Sequence, residues 1–67
     1  MVSITVNGKP REIEAPQTVP ALLDTLSVNP KQVAVAINGE VVTRDSWPQV
    51  TVKEGDVVEI VRAVGGG

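Results

Sequence analysis

Apolar and polar residues alternate along the first part of the chain. In "VSITVNG" the apolar side chains of Val2, Ile4 and Val6 occupy every second position, which is the period of a strand with one buried face. The Asn-Gly pair that follows is a strong signal for a tight hairpin turn, because both residues tolerate positive φ. The sequence therefore predicts a hairpin in which a second strand, "REIEA", returns antiparallel with Ile13 facing the core.

A different period begins after this hairpin. Val19, Leu22, Leu23 and Leu26 are spaced i, i+3, i+4 and i+7, which places them on one stripe of an α-helix. Because a residue that precedes proline avoids the α region, "SVNP" ends the helix. We predict a helix over residues 19–26 whose apolar stripe packs on the sheet.

Strands are predicted again in the second half of the chain. The segment "QVAVAING" alternates valine or isoleucine with alanine, and "VVT" follows as a short strand after an Asn-Gly turn. In "RDSWPQV" we expect irregular chain, because proline cannot donate to a strand ladder. We predict a last strand over residues 57–64, with Val58 and Ile60 facing the core. This strand is expected to be central in the sheet because it is rich in β-branched residues.

One helix among four or five strands indicates the fold class. A β-hairpin, a helix and further strands, in that order, are the pattern of an α+β, ubiquitin-like β-grasp, with a mixed four- to five-stranded sheet and one main helix packed on one face. Residues 1–62 are predicted to form this domain. Residues 63–67 are predicted to be a flexible glycine-rich C-terminal tail, since glycine loses the most backbone entropy on ordering.

Composition narrows the functional classes. The 67 residues carry a net charge of −2, whereas nucleic-acid binding needs a basic surface. No apolar run approaches the roughly 18 residues that span a bilayer, and "MVSITVNG" lacks the features of a secretion signal. We therefore expect a cytoplasmic protein that binds neither nucleic acid nor membrane. The absence of cysteine and histidine excludes Ser-His-Asp and Cys-His catalysis, and no metal site is expected.

Two pairs of carboxylates remain as candidate catalytic groups. Glu12 and Glu14 are expected on one strand face, and Glu54 and Asp56 straddle a predicted turn. Surface acids and turn acids are the simpler interpretation of both pairs. A chain without usable catalytic groups is predicted to be a carrier, a substrate or a binding module, and not an enzyme.

The glycine tail, residues 63–67, carries the most specific chemical prediction. Gly65, Gly66 and Gly67 have no side chains, so this backbone could enter a channel too narrow for other residues. Extended, the tail would reach about 17 Å beyond the domain. The expected reactive group is the α-carboxylate of Gly67, which is ionised at neutral pH and needs activation, typically as a mixed anhydride with a nucleotide phosphate. A frayed terminus without function is the alternative.

Four segments resemble the ThiS-type sulfur carriers of thiamine biosynthesis, a family with the ubiquitin-like β-grasp fold: "ITVNGKP", "TVPALLDTL", "AINGEVVTRDSW" and "EGDVVEIVRAVGGG". The resemblance covers nearly the whole chain. Its most specific parts are "AIN", the Arg44-x-x-Trp47 segment and "GDVVEIV", whereas a Gly-Gly ending is shared with other ubiquitin-like modifiers. Thr43 departs from the family pattern, in which proline precedes the arginine.

The resemblance implies a cycle of sulfur transfer in which the chain is the carrier. A ThiF-type adenylating enzyme, similar to the enzymes that activate ubiquitin, would adenylate Gly67. A persulfide sulfur donor would convert it to a thiocarboxylate, and a ThiG-type thiazole synthase would accept the sulfur for thiazole formation. ATP and magnesium would belong to the adenylating enzyme, with no cofactor bound to this chain. Two alternatives stay open: a MoaD-type carrier for molybdopterin synthesis, and a ubiquitin-like modifier conjugated to lysine.

Partner docking is expected on the outward face of the sheet, where small exposed side chains let another protein approach closely. The candidate docking residues on this face are Ala34, Ala36, Glu59 and Val61. Arg62, which could pair with an acidic partner surface or be simply solvated, and Val64 are further docking candidates next to the tail. Trp47 is instead predicted to pack over one end of the core with its N–H group hydrogen-bonded. Arg44 is predicted to stabilise a turn or to form a local ion pair.

Overall fold

Residues 1–62 are described by a computed structural model of the chain. Its strands are β1 (Val2–Val6), β2 (Lys9–Ile13), β3 (Gln17–Thr18), β4 (Val33–Ile37), β5 (Glu40–Val42), β6 (Thr51–Val52) and β7 (Val57–Arg62). The α-helix is α1 (Val19–Thr25), and two 3-10 helices span Pro30–Gln32 and Arg44–Gln49.

The strands form one mixed five-stranded sheet and one two-stranded sheet. The order in the larger sheet is β2-β1-β7-β4-β5, with β1 and β7 parallel and the other neighbours antiparallel. β3 and β6 pair antiparallel in the smaller sheet. The predicted α+β, ubiquitin-like β-grasp is therefore confirmed, and β7 has the central position expected of the last strand.

One apolar core is built from α1 and one face of the large sheet. The helix buries Val19, Leu22 and Leu23, as their i, i+3, i+4 spacing requires. The strands contribute side chains from alternate positions, so that the period of two in the sequence identifies the inward face. The buried apolar residues are Val2, Ile4, Ile13, Val19, Leu22, Leu23, Val33, Val35, Trp47, Val52 and Val58.

The helix ends one residue before the predicted boundary. α1 covers Val19–Thr25, and Leu26 is its C-cap residue. Ser27 then adopts a positive φ of 59°, and the Val28 N–H donates to the Leu23 carbonyl at 2.9 Å. This bond is the long-range bond of a Schellman motif, which usually has glycine at the left-handed position. Backbone capping with serine in that position therefore ends the helix.

The segment after β5 is more regular than predicted. Arg44–Gln49 form a 3-10 helix that includes Pro48, where irregular chain was expected. The Val50 N–H closes this helix by donating to the Trp47 carbonyl at 3.2 Å, and β6 then pairs with β3. A short 3-10 helix and two-residue strands are too brief to impose a hydrophobic period. Pattern reasoning therefore overlooked both of them.

The last strand is described as far as Arg62. The predicted continuation of this strand to residue 64, and the glycine tail, lie outside the described residues. Among the helices in residues 1–62, none has the length and apolar character needed to cross a membrane.

Candidate functional site

The predicted reactive group lies beyond the part of the chain that the structure describes. Gly67, its neighbours Gly65 and Gly66, and the docking candidate Val64 all fall outside residues 1–62. The roles assigned to them from the sequence stay predictions. The structure describes β7, the strand that precedes them, and the surfaces on each side of it.

Four predicted docking residues come together on β4 and β7. Val61 lies opposite Ala34 in the ladder, and Glu59 lies opposite Ala36. Residues directly opposite each other in an antiparallel ladder point to the same face of the sheet. The residues between them on each strand are buried or half-buried in the core. The four therefore share the face that points away from α1.

Exposed valines extend this surface on both sides of Glu59. Val61 is 62% exposed, and Val57, two residues before Glu59, is 44% exposed. On β5, Val41 is 76% exposed and lies opposite Ala36. Large contiguous apolar patches are typical of interaction sites, and the docking role of these residues stays a prediction. We refer to the six residues as the outer face: Ala34, Ala36, Val41, Val57, Glu59 and Val61.

Sequence reasoning missed Val41 and Val57, although a signal for both was present. Each of them is next to a valine that faces the core or its margin, Val42 and Val58. Because successive strand residues point to opposite faces, an inward valine followed or preceded by another valine predicts an exposed apolar side chain.

Arg62 does not belong to the outer face. It lies opposite Val33 in the ladder, and Val33 is buried on the core side of the sheet. The exposed side chain of Arg62 therefore leaves the sheet from the side that carries α1. The strand period places Arg62 out of phase with Val61, and its pairing with an acidic partner surface stays a prediction.

Asparagines in the two hairpin turns hold β7 through their side chains. Asn7, whose φ is 50°, accepts from the Ile60 N–H at 2.7 Å and donates through Nδ2 to the Ile60 carbonyl at 3.1 Å. Asn38, whose φ is 52°, accepts from the Val57 N–H at 3.0 Å. The sequence predicted these asparagines only as turn residues. The structure shows that they also fix the last described strand from both of its edges.

Asp56 has a structural role at the turn before β7. It is buried and accepts hydrogen bonds from the Asn38 side chain at 3.1 Å and from the Lys53 N–H at 3.0 Å. Burial, the largest single effect, raises the pKa of this carboxyl. The Lys53 N–H, the Asn38 amide and the Lys53 charge together outweigh burial, so that the pKa lies below its ordinary value of 3.8. Glu54 accepts from the Ser3 N–H at 3.0 Å, so both acids of this pair stabilise the turn.

The other pair of carboxylates borders a cleft. Glu12 belongs to β2, but the strand ends at Ile13, so Glu14 does not share a strand face with it as expected. Both acids line a cleft of about 400 Å³ together with Gln17 and Thr25, whose side chains are hydrogen-bonded at 3.0 Å. Within residues 1–62, no three His, Cys, Asp or Glu side chains are grouped so that they could hold a metal ion.

Trp47 and Arg44 stabilise the end of the core next to β5. The indole of Trp47 is buried, and its Nε1–H donates to the Val42 carbonyl at 2.9 Å, which confirms the predicted packing role. The Arg44 guanidinium lies 5.1 Å from the centre of the indole ring and donates to the Val33 carbonyl at 3.4 Å. Arg44 therefore acts through a cation–π contact, and not through an ion pair with any residue of the described part.

Comparison with known proteins identifies the family. A model of the ThiS family matches residues 4–67. The chain belongs to the ThiS family. The resemblance found in the sequence is thereby confirmed over nearly its whole length.

Relatives of this ThiS-family chain differ in size. The sulfur carrier protein ThiS of Escherichia coli is 33% identical over 66 residues, an alignment that covers 98% of this chain and 100% of that protein. The thiazole synthase of Paramagnetospirillum magneticum is 44% identical over 66 residues, but the alignment covers 20% of that protein. The chain therefore spans about a fifth of the length of this thiazole synthase.

A solved structure agrees with the fold. The crystal structure of the thiamine biosynthesis protein ThiS from Geobacter metallireducens superposes with a TM-score of 0.89 at 40% sequence identity, covering 98% of this chain and 100% of the other. The position at which this ThiS-family chain departs from the expected pattern, Thr43, has a φ of −68°. A proline ring imposes nearly the same angle, so threonine here keeps the backbone conformation that proline would adopt.

Proposed function

We propose that this ThiS-family chain is a sulfur carrier of thiamine biosynthesis, with the α-carboxylate of Gly67 as the group that carries sulfur. The observation that carries the proposal is the family match, which continues through the glycine tail to Gly67. Full-length coverage of the Escherichia coli sulfur carrier supports it.

The chemistry follows from the low reactivity of an ionised carboxylate. Attack of this carboxylate on the α-phosphate of ATP forms an acyl adenylate and releases pyrophosphate. The terminal sulfur of a persulfide then attacks the acyl carbon and expels AMP. Cleavage of the remaining S–S bond by a second thiol leaves a thiocarboxylate on Gly67 and a disulfide on the donor side. ATP and magnesium are used in the active site of a ThiF-type enzyme.

In this scheme the chain is a substrate and its own residues position the tail. The side chains of Asn7 and Asn38 hold β7 from both edges, so the tail starts from a strand whose place in the sheet is fixed. The glycines then allow the backbone to enter a narrow active site, because they carry no Cβ atom.

A ThiG-type thiazole synthase is the partner proposed to bind the outer face. The support is that a thiazole synthase of Paramagnetospirillum magneticum includes a segment that is 44% identical to this chain. The presence of a carrier-like segment in a thiazole synthase is expected if the carrier and the synthase must bind each other for sulfur transfer. The proposed ThiF-type enzyme and the persulfide donor rest on the family resemblance alone.

The test is in vitro thiocarboxylation followed by intact-mass measurement. The purified chain is incubated with a ThiF-type enzyme, a persulfide donor, a reducing thiol, magnesium and ATP, with omission of ATP as the control. The expected mass increase is that of one oxygen atom replaced by sulfur. Gly67→Ala should reduce its yield strongly, because a Cβ obstructs a channel shaped for glycine. An unchanged mass of the wild-type chain, or equal thiocarboxylate yields for wild type and Gly67→Ala, would contradict the proposal. A larger protein adduct would indicate conjugation to another protein.

A further inference from the structure

Glu59 is the charged residue at the centre of the outer face. Along β7 it lies between Val57 and Val61, which occupy the positions two residues before and after it. Across the sheet it faces Ala36, and Val41 lies beyond Ala36 on β5. The carboxylate is thus flanked by exposed valines along its own strand, and on the β4 side by the partly exposed Ala36 with Val41 beyond it.

No charged partner compensates Glu59 within residues 1–62. The ion pair recorded in this part of the chain joins Lys53 to Asp56. Arg62, three residues further along β7, leaves the sheet from the opposite side. In the free chain this costs nothing, because water solvates the exposed carboxylate. A protein that covers the neighbouring valines removes that water, and an unpaired carboxylate in such an interface is strongly unfavourable.

We propose that Glu59 determines which partner binds the outer face, by pairing with an arginine or lysine side chain set in an apolar surface of the thiazole synthase. This inference rests on the proposed function, which supplies the occupant. A guanidinium is well suited to the position, because it can bond both carboxylate oxygens. The valines contribute buried apolar area, and the charge pair rejects apolar surfaces that lack a cation.

A second copy of the chain fits the outer face poorly. In a two-fold symmetric dimer the same surface patch is used by both subunits. A dimer centred on this face would bring Glu59 of each copy towards the other, and like charges placed together are destabilising. The charge distribution therefore favours a partner with a basic residue over self-association.

The inference is tested by calorimetric titration of the purified thiazole synthase with four variants of the chain. Glu59→Gln removes the charge, Glu59→Lys reverses it, and Val61→Asp tests whether the face is covered at all. Glu12→Lys is the matched control for charge reversal. Glu12 lies opposite Ser3 on the outward side of β2, two strands from β7 and roughly 10 Å away or more.

The expected result is a loss of affinity that depends on the charge. Glu59→Gln should bind roughly thirtyfold more weakly or worse, because it leaves the partner's cation buried without a counter-ion. Glu59→Lys should bind more weakly still, and Glu12→Lys should bind within about twofold of wild type. Added salt should weaken wild-type binding more than Glu59→Gln binding. Thermal melting should be the same for wild type and the Glu59 variants, since the side chain is exposed.

Each contrary outcome identifies what is wrong. The inference is overturned if both Glu59 variants bind the thiazole synthase with wild-type affinity. If only Val61→Asp loses binding, the outer face is an interface whose affinity does not depend on the charge of Glu59. Concentration-dependent self-association of the chain through this face, abolished by Val61→Asp, also overturns it. If the wild-type chain fails to acquire sulfur in the mass experiment, the proposed function itself is contradicted. If it acquires sulfur normally and the Glu59 variants bind the thiazole synthase with unchanged affinity, only the inference about Glu59 is wrong.

Discussion

Replacement of Asn7 by glycine tests how β7 is held in the sheet. The side chain of Asn7 makes two hydrogen bonds to the backbone of Ile60, at 2.7 and 3.1 Å, across 53 residues of sequence. Glycine removes both bonds but accepts the positive φ of this turn position without steric cost. Asn7→Gly therefore separates the loss of the side-chain bonds from backbone strain.

The size of the effect follows from these two bonds. A hydrogen bond within a protein contributes about 0.5–1.5 kcal/mol to stability, so the pair is worth about 1–3 kcal/mol. Typical domains are stable by about 0.05–0.15 kcal/mol per residue, which corresponds to about 3–10 kcal/mol for a chain of this size. Asn7→Ala should be less stable than Asn7→Gly by about 1 kcal/mol or more, because alanine disfavours the left-handed region.

Urea denaturation and amide hydrogen exchange measure the two consequences. The urea concentration at the midpoint of unfolding should be lower for Asn7→Gly than for wild type, with an unchanged m-value. The Ile60 amide hydrogen should exchange faster, because the Asn7 side-chain oxygen that accepts it is gone. Asn29→Gly is a comparison in which one local bond is lost, from the Lys31 N–H at 3.0 Å, and it should lower the urea midpoint less than Asn7→Gly does. The reasoning is refuted if Asn7→Gly is as stable as wild type, or if exchange at Ile60 is unchanged.

Two further substitutions test the core and the turn before β7. Leu23 is fully buried where α1 packs on the sheet, so Leu23→Ala should lower the free energy of unfolding by about 2–5 kcal/mol. A loss of less than about 1 kcal/mol, measured by urea denaturation, would show that neighbouring side chains collapse into the cavity. Asp56 has a lowered pKa, so its ionised form stabilises the fold above pH 3.8, and this contribution is lost as the pH falls through the folded-state pKa. The stability difference between wild type and Asp56→Asn should therefore be largest near neutral pH and shrink in acid, whereas a difference that is constant with pH would contradict the assigned bonds to Asn38 and Lys53.

The predictions that succeeded were those encoded by local periodicity. The spacing of Val19, Leu22 and Leu23 located α1 and its buried stripe to within one residue at its end. Asn-Gly at two positions located both hairpin turns, because few other residues adopt positive φ in succession. The four outward positions on β4 and β7 followed from the same alternation, once their pairing was assumed.

The errors arose where a feature depends on contacts between distant segments. The pairing of β3 with β6 joins strands of two residues each, and segments so short carry no detectable period. Val41 and Val57, in contrast, were missed although the alternation along β5 and β7 indicates that both are exposed.

The sequence by itself determined which residues face inward, where the chain turns and to which family it belongs, since these properties are written in spacings of a few residues. Only the tertiary structure decided that β1 and β7 lie side by side and parallel, that Asn7 bonds Ile60, and that Val41 on β5 lies on the same face as Glu59, beyond Ala36. The physical reason is that strand order is selected by burial of the whole core at once, with contacts between residues far apart in the chain. The composition of the last strand predicted that it is central, but not which strands lie beside it.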